Sequence, residues 1–528
     1  MPDRGTSWPV LGVLWLLVIL SALLTRPLLP VDETRYATVA WEMWVRGDFL
    51  VPYLNGEPYS HKPPLLLWLI HAGWWLFGVS EWVLRAVPPL LAVGILLAAA
   101  HLSQRLWPED AGAARMAPWV LFGCVFLTAF GSWVQFDLLL MLCALLALSG
   151  VVSAARGAAR GWLLTGIALG CGILAKGPVI LLHVLPAALL APLWRLSAPA
   201  HSWWRWYAGL ALSVVLAAAI ALGWALPAAA AGGDAYREAL LWGQTAERVV
   251  QSFAHDHPVW WYLPWLPLLL APWSLLPWVW STVWRSRPLQ DEGMRFCLVW
   301  LCGGFIILSL VSGKQLKYLL PLLPAATLLL GRVLSRLEDA TIRQRPWLLS
   351  LVLLVVGAAC MVLPRVLDKP AWVSMVNPVW GALLVVMAIA IVWMPPVRAV
   401  RYPLLLAVLS VYVVTVLQLG LFTAASPAYD MRPIGRFIAQ AQAEGREVAV
   451  TDRYHGQFGF PGRLLQPLEQ LDATTLAAWV QQHPQGYLVM AMPRPDTFAD
   501  AVYTQPYRGR YLAIREGRTV RDAPTLLP

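Results

Sequence analysis

Again and again this chain runs for about 20 residues with almost no charge, the length that carries a helix across the hydrocarbon core of a bilayer. Such windows fall near 8–28, 82–102, 115–134, 137–155, 161–179, 179–194, 207–227, 260–283, 296–312, 315–333, 347–366, 376–394 and 402–422. In lipid the backbone must satisfy its own hydrogen bonds, so each window is expected to be a helix. Hydrophobic residues make up 59% of the 528 and charged residues only 13%, about half the share in soluble domains, which excludes a soluble enzyme. The sequence therefore predicts an α-helical polytopic membrane protein with about 13 transmembrane helices. Its first apolar run, Trp8 to Leu24, has little charge before it and no small-residue cleavage pattern, as expected of an uncleaved anchor.

Several of the 31 tryptophans cluster where apolar runs end, as at Trp74-Trp75, Trp203-Trp204, Trp260-Trp261 and Trp278 with Trp280. Indole rings favour the headgroup level, so these clusters mark span ends. The six cysteines (Cys124, Cys143, Cys171, Cys297, Cys302 and Cys360) lie in apolar segments without metal-ligand spacing and are expected to be buried free thiols. The net charge of +10 is spread through short loops, which fits the cytoplasmic bias of basic residues and not a nucleic-acid partner. Arg105 with Arg115, Arg156 with Arg160, and Arg285 with Arg287 and Arg295 then face the cytoplasm. The alternating loops lie outside, the amino terminus lies inside, and an odd number of spans exports the carboxyl terminus.

From about Pro427 charged residues return and the hydrophobic period alternates. Pro433 to Ala443 and Ala473 to Gln482 read as helices; Glu447 to Thr451, Gly486 to Met490 and Tyr511 to Arg515 read as strands. A small α/β domain is expected over 427–528, following a membrane part over 1–426, and about a hundred residues suffice for it to fold.

Two charged clusters interrupt the apolar pattern early, Asp32-Glu33-Thr34-Arg35-Tyr36 and Tyr59-Ser60-His61-Lys62-Pro63-Pro64. Ionisable groups at a membrane boundary carry a solvation cost and mark function where they persist. Thr34 to Arg46 has apolar residues at helical spacing, which predicts an amphipathic juxtamembrane helix. Asp32 stands near its positive end, either as a cap or as a site carboxylate. The prolines hold Lys62 extended, with its ammonium aimed at a cavity or at headgroups. Asp137, opening the fourth window, is likewise a cap or a cavity carboxylate, and Lys176 sits between two apolar segments too closely joined to leave it in bulk water. Farther on stand Arg248, His255 and His257, then Lys314, Lys317 and Tyr318. His61, His255 and His257 are weak candidates for a divalent metal. Arginine and lysine suit phosphate oxygens, and a carboxylate among them can orient or deprotonate an acceptor. The combination describes group transfer from a phosphorylated lipid, with a transporter as the competing class.

Asp32 to Ala37, Gly47-Asp48, Tyr59 with Lys62-Pro63, Ala175-Lys176-Gly177 and Lys314 to Pro321 together resemble the motifs of the aminoarabinose transferase and protein O-mannosyltransferase-like superfamily, glycosyltransferases of the GT-C fold. The resemblance implies a sugar donor on undecaprenyl phosphate and inverting transfer, at the periplasmic face of the bacterial inner membrane, to lipid A or another envelope acceptor. It implies Asp32 as the catalytic or acceptor-orienting carboxylate and Asp137 as the second acidic group. Arg35, Tyr59, Lys62, Lys176, Arg248, Lys314 and Tyr318 would hold the lipid phosphate. His61 stands where the aminoarabinose transferases carry a glutamate before the motif lysine, so the resemblance leaves the sugar, the acceptor and the metal open.

Overall fold

The computed structural model describes residues 7–195, 202–243, 257–337, 340–367, 370–493 and 500–522. The chain forms two compact units, one of Met1–Leu20, Ser60–Leu354 and Val386–Thr415, the other of Ser21–Tyr59, Val355–Val385 and Val416–Pro528.

Among the described residues, eight helices are long and apolar enough to cross a membrane, and three shorter apolar ones join them. The amino-terminal elements are α1 (Trp8–Thr25), α2 (Asp32–Arg46), the two-residue strands β1 (Tyr53–Leu54) and β2 (Glu57–Pro58), α3 (Leu65–Phe77), α4 (Glu81–Leu106), α5 (Ala111–Phe122), α6 (Val125–Phe130), α7 (Phe136–Ala155) and α8 (Arg160–Lys176). In the first unit α7 is the pivot. Of its most apolar window 78% is buried, against 28% in Trp203–Ala231 and 22% in Trp347–Val366, whose exposed Leu212, Val215, Leu351 and Val355 are suited to lipid.

Helices α7 and α8 are joined by the short turn 156–159 and run antiparallel. A Cβ on Gly150 would press on the Gly161 carbonyl at 2.5 Å, and one on Gly161 would lie 2.6 Å from the Ala154 nitrogen. Glycine at both positions lets the backbones touch, which is how membrane helices gain packing without a hydrophobic driving force. This close crossing near the turn sets the start of α7 beside the end of α8.

Several expected spans are interrupted. The window 260–283 becomes a series of short pieces, Val259–Trp265, Leu266–Leu269, Trp273–Leu275 and Pro277–Arg285, because Pro264, Pro267, Pro272 and Pro277 each remove a backbone donor. The window 115–134 divides into α5 and α6 at Gly123-Cys124. There the Thr128 hydroxyl donates to the Phe122 carbonyl at 2.7 Å and the Ser410 hydroxyl to the Gly123 carbonyl at 2.7 Å, so side chains satisfy the acceptors that the break releases. The cysteines are free, but not all buried. Cys302 is exposed, and Cys171 and Cys360 are half-buried, because an apolar helix facing lipid need not hide a thiol.

The second unit contains α2, the β1–β2 hairpin and a five-stranded sheet. Asn55 and Gly56, with φ of 56° and 84°, form the two-residue turn that antiparallel strands favour. In the sheet the order is Glu469–Gln470, Val448–Val450, Tyr487–Met492, Arg510–Glu516, Tyr503–Tyr507, with the first three strands parallel and the last two antiparallel. Helix Arg432–Ala443 buries Ile434 and Ile438 with Val448, Val450 and Ile514, while Leu476–Gln482 buries Leu476, Trp479 and Val480 with Leu488 and Met490. Those two cores explain why Val448 to Val450 is apolar without alternation. Strand Tyr503–Tyr507 escapes sequence reading because Pro506 interrupts it, which an edge strand tolerates.

Candidate active site

The motif residues divide between the two units, and each set is held by its own local structure. In the second unit α2 starts at Asp32, with Val31 at the cap position and no side-chain cap bond. Asp32 is therefore not the helix cap: its carboxylate accepts from Arg35 Nη2 at 2.5 Å, one turn on. The pair is partly open, Asp32 being 36% and Arg35 22% exposed. Burial works against the Arg35 charge, but Tyr59, Tyr36 and Asp32 outweigh it and raise the guanidinium above its ordinary value. Tyr59 is itself buried, its N–H bound to the Pro52 carbonyl at 2.7 Å.

The start of α2 is fixed by residues whose role the sequence did not disclose. Glu33 forms an ion pair with Arg26, both fully enclosed, and also accepts from the Leu29 N–H at 2.9 Å. Breaking such a buried pair strands a charge, so the pair pins the turn that presents Asp32. His455 is a further unpredicted neighbour. Burial, then the charges of Arg35, Arg453 and Arg508, push its imidazole below the ordinary histidine value.

In the first unit Asp137 also turns out not to be a cap. Gln135 holds the cap position of α7 without a side-chain cap bond, and the Asp137 carboxylate pairs with Lys176 at the end of α8, 2% and 9% exposed. Lys176 Nζ also lies 4.2 Å from the Tyr318 ring centroid, within cation–π range. Lys62 Nζ stands 5.8 Å from the ring of Phe136, the residue before Asp137. Lys317 donates to the Gln135 side chain at 3.3 Å. Lys62, Asp137, Lys176 and Tyr318 are thus brought together around the start of α7.

Lys314 behaves otherwise. Only 1% exposed, its ammonium donates to the His257 carbonyl at 2.8 Å and to the Val311 carbonyl at 2.5 Å, so it clasps backbone instead of offering its charge to a pocket. The His257 ring is stacked on Trp261 at 4.4 Å. Arg248 and His255 lie outside the described residues. Among the described residues no three His, Cys, Asp or Glu side chains gather as a metal would require. An open depression of about 410 Å³ in the second unit, lined by Asn55, Glu57, Arg446 and Glu447 among others, contains none of the expected site residues.

Cations set around partly enclosed carboxylates are suited to an anionic, lipid-borne substrate, and the relatives of the chain agree in kind. Residues 61–224 match the family described as dolichyl-phosphate-mannose-protein mannosyltransferase. An undecaprenyl phosphate-alpha-4-amino-4-deoxy-L-arabinose arabinosyl transferase of Edwardsiella ictaluri is 30% identical over 390 residues, 71% of this chain and 68% of that protein. Its namesake in Pseudomonas paraeruginosa is 30% identical over 426 residues, 76% of this chain and 74% of that one. The chain belongs to this arabinosyl transferase family. The family's fold extends throughout: the crystal structure of ArnT from Cupriavidus metallidurans bound to undecaprenyl phosphate superposes with a TM-score of 0.75 at 21% identity, covering 99% of both chains. Its apo form gives 0.76 at 20% identity, covering 100% of both. As a family member with this fold, the chain is a GT-C glycosyltransferase and a multi-pass membrane protein.

Proposed function

We propose that this protein moves a sugar, in the first instance 4-amino-4-deoxy-L-arabinose, from undecaprenyl phosphate to lipid A with inversion, at the periplasmic face of the bacterial inner membrane. The observation that carries this reading is the family relation at 30% identity over most of both chains. The engaged motif residues Asp32, Arg35, Lys62, Asp137, Lys176 and Tyr318 support it. Breaking the sugar C1–O bond leaves a phosphate anion. Lys62 and Lys176, beside Tyr318, stabilise that developing charge, each well-placed donor contributing about 3 to 4 kcal/mol in comparable sites. Asp137 holds the Lys176 ammonium in place, and Asp32 orients the acceptor or takes its proton. If the acceptor is a phosphate it is already a nucleophile, and Asp32 then only orients.

The topology belongs to the same reading. Thirteen spans, a cytoplasmic amino terminus, a membrane part over 1–426 and an exported α/β domain over 427–528 would put the long loops on one side; the alternation of arginine-rich loops supports this. The test is mass spectrometry of envelope glycolipids from cells lacking the protein, complemented with wild type, Asp32→Asn or Lys62→Ala. Wild type should restore an aminoarabinose-bearing lipid A and both variants should fail. A glycolipid profile indifferent to the protein overturns lipid A as acceptor, and purified protein that leaves a polyprenyl-phosphate sugar intact overturns the transferase.

A further inference from the structure

Asp32 and Arg35 sit on the first turn of α2, a helix of 15 residues and so about 22 Å long. Small rotations of such a rod displace its end, so whatever grips α2 decides where the carboxylate stands. Within the second unit the grip comes from residues 456–468. The Thr38 hydroxyl, fully buried, donates to the Gly456 carbonyl at 2.8 Å and accepts from the Phe460 N–H at 2.9 Å. One turn farther, Trp41 Nε1 donates to the Leu464 carbonyl at 2.8 Å. Beyond the helix, Asn55 bonds both the N–H and the carbonyl of Leu468 at 2.8 Å, while Glu42 takes the N–H groups of Asn55 at 2.6 Å and Gly56 at 2.9 Å.

The fit leaves no slack at Thr38. A Cβ on Gly456, whose φ is +79°, would lie 3.2 Å from the Arg35 Cα and 3.2 Å from the Thr38 Cβ, and a Cβ on Gly459 would collide with the Thr38 methyl. Arg35 and Thr38 are three residues apart and hence neighbours on one helix face, so the loop touches the backbone of a motif residue directly.

We propose that Thr38, clasped between Gly456 and Phe460, is a positioning residue for sugar transfer: it fixes the rotation of α2 and thereby where Asp32 and Arg35 are presented. This rests on the transferase reading above, and no group in the clasp touches substrate. A misplacement of about 1 Å at a reacting group can cost about 10²-fold in rate, which is the scale on which the clasp acts.

The experiment compares Thr38→Val, which keeps shape and removes both hydrogen bonds, with Thr38→Ser, which keeps the hydroxyl. Asn55→Ala is a second lesion, at the far end of the grip. Purified full-length proteins are assayed for transfer from undecaprenyl-phosphate aminoarabinose to lipid A, and for hydrogen exchange of residues 33–46. Thr38→Val should lower kcat 10- to 100-fold with donor KM within about twofold, and its α2 amides should exchange faster. Thr38→Ser should stay within about threefold of wild type, and Asn55→Ala should fall between them. Wild-type kcat in Thr38→Val, or equal losses in the Val and Ser variants, overturns the proposal. Should Thr38→Val not accumulate, Asn55→Ala decides, and unchanged kcat and exchange there overturn it. If wild-type protein transfers no sugar, the transferase reading fails, and with it a positioning role in that reaction; exchange then reports only whether the clasp holds α2.

Discussion

Two aspartate–cation pairs, each at the first turn of a helix, are built in opposite ways. Asp32 reaches an arginine on its own helix and stays one-third exposed, whereas Asp137 reaches across to Lys176 on a neighbouring helix and is enclosed. An open pair of neighbours contributes about 0 to 1 kcal/mol, so Asp32 is only loosely committed to Arg35. A buried pair has given up its hydration, and removing one member strands the other at a cost of about 3 to 5 kcal/mol. The difference teaches that the first pair is held weakly and the second keeps an ammonium in one place.

Four substitutions or conditions would break or sharpen that contrast. Asp32→Asn should lower turnover by about 10²- to 10⁴-fold with little change in the melting midpoint of the detergent-solubilised protein; retained activity would remove Asp32 from the chemistry. Asp137→Asn should destabilise the fold by about 3 to 5 kcal/mol, seen as a lowered melting midpoint, and adding Lys176→Met should recover part of the loss without restoring transfer. If the double variant melts lower still, the two side chains are not a coupled pair. Arg35→Ala should raise donor KM about tenfold, about 1.4 kcal/mol of binding, with Arg35→Lys intermediate because lysine keeps the charge but loses the planar fork.

The smallest effect is that of pH near the open pair. The folded pKa of His455 is depressed by burial and by Arg35, Arg453 and Arg508, below the ~6.5 of an unfolded histidine. Its contribution is therefore fully present above about pH 6.5 and is lost as pH falls through the folded value. His455→Gln should flatten the acid side of the stability profile. An identical acid limb in wild type and His455→Gln would detach His455 from the open pair.

The sequence made much of the architecture legible because lipid imposes a simple rule of length and charge. Helix α2 is found within two residues of its expected start, and Asp137 and Lys176 were both singled out although 39 positions separate them. What stayed hidden depends on partners distant in the chain. Thr38 looks like any small residue on a helix face until Gly456 and Phe460 arrive. Glu33, next to Asp32 in the same motif, gave no sign that Arg26 would enclose it. Lys314 carried the same positive charge as Lys62, and only the carbonyls of Val311 and His257 distinguish a backbone clasp from a pocket. The broken window at 260–283 was readable in principle, since four prolines in 14 residues forbid a regular helix, but hydropathy alone smooths over them.

Thr38 and Gly456 are 418 residues apart, and that interval has a consequence in time. A ribosome makes α2 among the earliest segments and the loop that grips it among the latest. The spans between them can enter the bilayer one after another while the helix bearing Asp32 still waits for its counterpart. A polypeptide released shortly before Gly456 would lack the clasp on Thr38 and would keep only the Arg26–Glu33 pair to set the turn that presents Asp32.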